Sequence, residues 1–321
     1  MEMGTKTFNA EQMSDFHTKS FELHKNEFKR EGPERAAIYE SWFAEDTIDY
    51  WRHFRMVEPL SPLLHFYPGS SWLSIGDGRY GLDSIRLKKI EPSLRVLPTD
   101  ISPYLLEEAK KKGIITEFSV ENAESLSFAD NQFDFTSCKE SYHHFPRPYL
   151  ALYEMLRVAS KGIILIEPND ALPRPLVEEL IQRAKRLAKR ILGKTILHPD
   201  HWKFEETGNY VYSVSRREIE KMAIGLQLPV VAFYYFNDHY EKGVEFEKFT
   251  LDNKLLHLIK SKIKRADFRC RMGLQSPGNI IAIVFKTLPD SALLEKLKSQ
   301  GFVISFLPKN HFLESREKDQ A

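Results

Sequence analysis

The run Trp72-Leu73-Ser74-Ile75-Gly76-Asp77-Gly78-Arg79-Tyr80-Gly81 passes from apolar residues into a glycine-rich turn. Glycines there let the backbone bend tightly and approach a ligand closely, and a helix that follows offers unpaired N–H groups. Asp100 ends a second apolar run 24 residues after Gly76. At that place a carboxylate can accept from both hydroxyls of a ribose. The turn and the acid together predict a nucleoside-containing cofactor.

Proton-transfer chemistry has candidates further on. His143 and His144 follow a fourth apolar run, and an imidazole with an ordinary pKa of ~6.5 suits a base at neutral pH. Glu167 and Asp170 flank Pro168 and Asn169 at the end of another apolar run, where they could contact a substrate or take its proton as readily as cap a turn. His198-Pro199-Asp200-His201 has two histidines and an acid but no further clear ligand, so it reads as a loop and no metal is expected.

The elements that must position these residues alternate. Ser71–Ile75, Leu94–Pro98, Ile115–Val120, Phe133–Ser137 and Ile163–Ile166 are strand-like, with helical stretches such as Pro103–Lys112 and Pro148–Val158 between them. Strands apolar on both faces and separated by helices predict an α/β, doubly wound sheet. Residues 1–70 read as a helical N-terminal extension with twelve acids against eight bases, in which Trp51, His53 and Arg55 could close over a ligand. Insertions are expected at about 171–227 and 239–278, with a C-terminal extension over 291–321 and a frayed charged tail after Leu313. Ser215 and Glu218 form a capping box, and Glu205-Glu206-Thr207-Gly208-Asn209-Tyr210 reads as a polar loop over the site or on the surface.

Asn122-Ala123-Glu124, Asp130 to Phe135, Tyr142-His143-His144-Phe145 and the helix before Lys161-Gly162 follow the glycine turn in an order that resembles class I S-adenosylmethionine-dependent methyltransferases, most closely the small-molecule branch. The resemblance covers about residues 71–170. It implies a Rossmann-like sheet of seven strands ending in an antiparallel hairpin, for which Leu228–Phe236 and Asn279–Thr287 are the candidates. It further implies that Gly76, Asp77 and Gly78 meet the methionine end of S-adenosylmethionine, that Asp100 and Ile101 hold the ribose, and that Asn122, Ala123 and Glu124 line the adenine. Lys139 and Glu140 would lie beneath the sulfonium. Ser74 stands where the family usually has an acid, and the third glycine comes one place late, at Gly81. The late glycine also suits a nicotinamide-dependent oxidoreductase, although no Tyr-x-x-x-Lys relay accompanies it. The serine also suits a cofactor-binding scaffold without activity.

Composition narrows the setting. The formal net charge is +1 with 28% charged and 42% hydrophobic residues, which excludes a generally disordered or nucleic-acid-coating chain. Apolar runs are far below the ~20 residues of a membrane span. Cys138 and Cys270 form no C-x-x-C pair, so a reducing cytoplasm is expected. Residues 171–200 carry seven bases and three acids, and residues 254–271 seven bases and one acid. These insertions suggest an anionic small-molecule acceptor, such as a nucleotide-linked or glycan sugar, and the amphipathic stretch Leu176–Leu192 could rest on an anionic membrane. The expected enzyme methylates a hydroxyl or amine of that acceptor.

Overall fold

Strands that are apolar on both faces need cover on both, and the chain supplies it from helices before, between and after them. The computed structural model describes residues 10–26, 28–29, 33–171, 175–191, 204–205 and 209–310. In chain order the elements are α1 (Ala10–Lys25), α2 (Pro33–Ser41), α3 (Ile48–Val57), α4 (Ser61–Phe66), β1 (Ser71–Ile75), α5 (Leu82–Ile90), β2 (Arg95–Asp100), α6 (Tyr104–Lys111), β3 (Ser119–Val120), β4 (Phe133–Lys139), α7 (Pro148–Val158), β5 (Ala159–Pro168), α8 (Leu176–Ile191), α9 (Arg216–Gly225), β6 (Val230–Phe236), α10 (Lys254–Arg271), β7 (Asn279–Phe285), α11 (Ser291–Gln300) and β8 (Val303–Phe306).

Among the described residues, one eight-stranded sheet has the order β3-β2-β1-β4-β5-β7-β6-β8. The first five strands in sequence run parallel, β7 is antiparallel to β5 and β6, and β8 is antiparallel to β6. Seven strands and the antiparallel close agree with expectation. The eighth lies in the stretch read as a C-terminal extension: Gly301 at φ +106 ends α11 and turns the chain so that Val303–Phe306 lies along β6. The third strand is shorter than expected, because Ile115 packs with Leu105, Leu106 and Ala109 beneath α6 instead of joining the sheet.

Alternate side chains go to opposite layers. Ile163 and Leu165 face α7 and α9 through Leu152, Met155, Ile219 and Ala223. Ile164 and Ile166 face the layer of Leu63, Leu64, Leu293 and Leu297. At ~0.8 kcal/mol per buried CH₂, these double-faced strands are the main stabilising mass of the fold. The capping box is present, with Ser215 accepting from Glu218 N–H and the Glu218 carboxylate returning the bond.

The acidic N-terminal helices and the second insertion pack together rather than separately. Ile48 and Trp51 of α3 meet Val244, Leu256 and Ile259, while Ile48 N–H donates to Glu247 C=O and Asp49 N–H to Val244 C=O. Trp51 lies in this contact, stacked on Phe249, and so does not face a ligand. The opposite side of α3 is turned toward the carboxyl ends of β1 and β4, where the strand order reverses. Open sheets form their ligand crevices at that switch point.

Candidate functional site

A cavity of about 580 Å³ occupies the crevice, within the usual size of small-molecule sites, ~300–1,000 Å³. Its floor is the sheet edge: Ile75, Gly76 and Asp77 after β1, Thr99, Asp100 and Ile101 after β2, Glu121 to Glu124 after β3, and Lys139 to Ser141 after β4. Its roof comes from Phe21, His24 and Phe28 near α1, Ile38 and Trp42 near α2, Asp49, Arg52 and His53 of α3, and Tyr240 and Glu245 of the second insertion.

The turn after β1 is built for close approach. Gly76 sits at φ +72, and a Cβ there would stand 2.3 Å from Ser141 Cβ. A Cβ on Gly78 would fall 2.6 Å from the Asp100 carboxylate and from Phe28. Both positions therefore need glycine for space, and Gly76 for its backbone as well. Asp77 turns its carboxylate onto the start of α5, accepting from Asp83 N–H at 3.0 Å, Ser84 N–H at 2.9 Å and the Ser84 hydroxyl at 2.7 Å. Burial and the neighbouring Asp83 carboxylate push its pKa up to about 7 against those bonds. Asp77 is thus a helix cap on the cavity wall.

Asp100 ends β2 and orders the next turn, its Oδ1 accepting Ser102 N–H at 2.7 Å. Asn122 Oδ1 accepts Glu124 N–H at 3.0 Å, which fixes the Asn122–Glu124 turn. The Glu124 carboxylate accepts from Arg147 N–H at 2.7 Å and Arg147 Nε at 2.6 Å. Ala123 and Ile101 complete that wall.

At the end of β4, Glu140 holds φ +49, a left-handed conformation that a non-glycine residue adopts only under constraint. Its N–H donates to Ile166 C=O, and its carboxylate lies 3.3 Å from His53 Nδ1. Lys139 Nζ is buried between His53 Nδ1 at 3.1 Å and Asp83 Oδ1 at 3.2 Å. Burial and the Lys139 charge lower the His53 pKa despite Glu140. The carboxylate of Glu140 lies well below its usual range because Lys139 and His53 outweigh its burial.

His143 lines the cavity with Glu167 behind it. Nδ1 of the ring is 2.5 Å from Glu167 Oε2, and Glu167 Oε1 accepts from Ser141 N–H and Tyr142 N–H at 2.9 Å each. Burial works against a charged His143, but the Glu167 carboxylate outweighs it and raises the pKa. Glu167 is fully enclosed and is not among the residues lining the cavity, so any contact it has with the cavity runs through the imidazole. His144 pairs with Glu205, while Asn209 donates to Ser20 Oγ at 2.7 Å and His144 C=O at 3.0 Å.

Asp170 is placed elsewhere, in a shallow groove with Ser215, Arg216 and Tyr235. Its N–H donates to Val214 C=O. Proximity in sequence to Glu167 suggested a shared site, but the chain crosses to the start of α9 between them. Among the described residues the cations on the cavity wall are Arg52, Arg79, Arg86 and Lys139, none of them from the basic stretches 171–200 and 254–271. His198 to His201 and Glu206 to Gly208 lie outside the described residues. Among those described, no cluster of three His, Cys, Asp or Glu could hold a metal.

The sequence reading missed Asp49, Arg52, Tyr240 and Glu245. Arg52 is paired with Asp49 at 3.0 Å and with Asp238, under the Tyr240 ring at 5.3 Å. The available signal was the charge pattern Asp49, Arg52, His53 along one side of a helix otherwise anchored by apolar residues.

Residues 73–166 match the family described as "Methyltransferase domain". A ubiquinone/menaquinone biosynthesis C-methyltransferase of Cupriavidus taiwanensis is 31% identical over 99 residues, 30% of this chain and 41% of that protein. A 2-methyl-6-phytyl-1,4-hydroquinone methyltransferase of Synechocystis is 31% identical over 102 residues, 31% of each chain. The YcgJ protein of Bacillus subtilis, a solved structure, is 21% identical with a TM-score of 0.40, over 68% of this chain and 93% of that one. The two sequence matches to the methyltransferases of Cupriavidus taiwanensis and Synechocystis span less than half the length of those relatives. The cofactor of such a domain is S-adenosylmethionine.

Proposed function

We propose that this chain, in which residues 73–166 are a class I S-adenosylmethionine-dependent methyltransferase domain, transfers a methyl group to a hydroxyl or amine of a small molecule held beneath α3. The observation that carries the proposal is one cavity lined both by the glycine turn, Asp100 and the Asn122–Glu124 turn, and by the buffered imidazole of His143. The donor set fits the cofactor: a carboxylate at the end of β2 for the ribose diol, glycine backbone beside it, and a polar turn after β3 for the adenine edge.

When bound, S-adenosylmethionine supplies an electrophilic methyl group. The chain supplies position and proton handling. Gly76 and Gly78 would let the backbone lie against the methionine end, Asp100 and Ile101 would hold the ribose, and Asn122, Ala123 and Glu124 would border the adenine. Lys139 and Glu140 would set the charge below the sulfonium. His143, whose other nitrogen faces Glu167, would take the proton of the acceptor oxygen or nitrogen, so that the methyl group could pass to that atom from the sulfonium sulfur with S-adenosylhomocysteine as the leaving group. Orientation of the two reactants beneath α3 would supply much of the rate. An anionic acceptor, including a sugar phosphate, would find Arg79 on this wall, since Arg52 is already held by Asp49 and Asp238.

Calorimetry with S-adenosylhomocysteine tests the proposal. Binding is expected, and Asp100→Ala should weaken it roughly tenfold or more, because a buried diol loses a charged acceptor. Binding of NAD or NADP in place of S-adenosylhomocysteine would overturn it.

A further inference from the structure

Helix α8 separates its residues by type almost completely. At 100° per residue, positions 176, 177, 180, 181, 184, 187, 188 and 191 fall within one arc and are all Leu, Val, Ile or Ala. Positions 178, 179, 182, 183, 185, 186, 189 and 190 fill the other arc, with Lys or Arg at 183, 185, 186, 189 and 190. In a helix packed on a core the apolar arc is the hidden one. Here it is the outward one: Leu176 is 83% exposed, Leu187 60% and Ile191 78%, with Leu180 and Ile181 exposed as well.

The first turn is tied to the body through the polar arc, Glu178 accepting Ser276 N–H at 3.1 Å. Ser276 lies just past the end of α10, where Phe268, Met272 and Leu274 are also exposed beside Arg269 and Arg271. Two neighbouring elements thus each expose apolar residues and carry bases in the same stretch.

We propose that α8, with the end of α10, docks in the plane of an anionic lipid bilayer. An exposed apolar arc alone would suit many partners. The bases on its flanks choose among them, since an interfacial helix buries its apolar side in the acyl boundary and pairs Lys and Arg with anionic headgroups. A second copy of this chain would bring the same bases against each other.

Flotation of the full chain with phosphatidylcholine vesicles, with and without phosphatidylglycerol, tests the proposal. The chain should float with the phosphatidylglycerol vesicles, at least roughly tenfold more than with phosphatidylcholine alone, and added salt should reduce the difference. Leu180→Glu with Leu187→Glu should abolish flotation, and circular dichroism should show the fold intact because both residues are exposed. Arg183→Glu with Arg186→Glu should weaken binding to the anionic vesicles. Absence of flotation, or flotation indifferent to both pairs of changes, overturns the proposal. So does a dimer of the wild-type chain that the leucine changes convert to monomer without any vesicle binding. These readouts do not involve the methyl-transfer site, so they stand or fall apart from it.

Discussion

Glu167 holds His143 from behind: its Oε2 is 2.5 Å from Nδ1 of the ring, while its Oε1 is fixed by two backbone N–H groups from the same turn that carries the histidine. The carboxylate thereby selects the tautomer with its proton on Nδ1 and leaves Nε2 as the acceptor. Removing the negative charge should both disorient the ring and lower its basicity.

The acid limb of the rate profile should therefore sit above the ordinary histidine value of ~6.5, because Glu167 raises the His143 pKa and only the neutral ring accepts a proton. Glu167→Gln should move that limb to lower pH and reduce kcat by roughly 10²–10⁴ with little change in cofactor affinity. A kcat profile whose midpoint does not move would rule out this pairing as the source of basicity.

The same pair links stability to pH. His143 has its pKa raised on folding, so the stabilisation is fully present below the unfolded value of ~6.5 and is lost as pH rises through the folded value. Urea midpoints of the wild type should fall across that interval. His143→Gln should lack this fall, and an equal slope in the two proteins would contradict the assignment.

Gly78→Ala should damage cofactor binding more than folding. Its Cβ would press the Asp100 carboxylate and the Phe28 ring at 2.6 Å, displacing the group proposed to hold the ribose. Overpacking of this kind costs about 1–3 kcal/mol. Calorimetry and thermal melts should show affinity for S-adenosylhomocysteine falling by more than the melting shift explains; unchanged affinity would show that Asp100 has room to move.

Asp170→Asn should leave turnover within a few-fold, since its groove with Ser215 and Arg216 is separate from the cavity of His143. Steady-state kinetics decide this, and a large kcat loss would show that the two sites communicate.

Arg52→Met should destabilise the protein by about 3–5 kcal/mol, because Asp49 and Asp238 are left buried without their shared cation. Urea denaturation measures it. A loss below ~1 kcal/mol would mean that water reaches those carboxylates.

What could be read from the sequence was what lies close together in it. The glycine turn, Asp100 and the Asn122–Glu124 turn each sit beside a strand end that shows in local hydrophobicity, so the floor of the cavity was legible. The roof was not. Asp49, Arg52, Tyr240 and Glu245 meet only because Ile48 and Trp51 pack against a helix two hundred residues away, and no local pattern encodes that contact. Asp170 misled for the converse reason, being three residues from Glu167 yet turned into another groove. The eighth strand was hidden by its length of four residues, too short for alternation to stand out beside a charged tail.

The insertion of β7 between β5 and β6 gives this chain an order of assembly during synthesis. β6 is complete at Phe236, but the strand it must pair with on its inner side begins only at Asn279. Until that segment leaves the ribosome, β5 has an open edge and β6 has no place in the sheet, while the β1–β5 half with its glycine turn can already be in place. The nascent chain thus carries an exposed apolar strand through the whole of α10, the kind of edge that chaperones cover and that aggregates recruit. Closing the gap is a late event that joins the two halves at once, and a chain ending before residue 279 would keep both edges open.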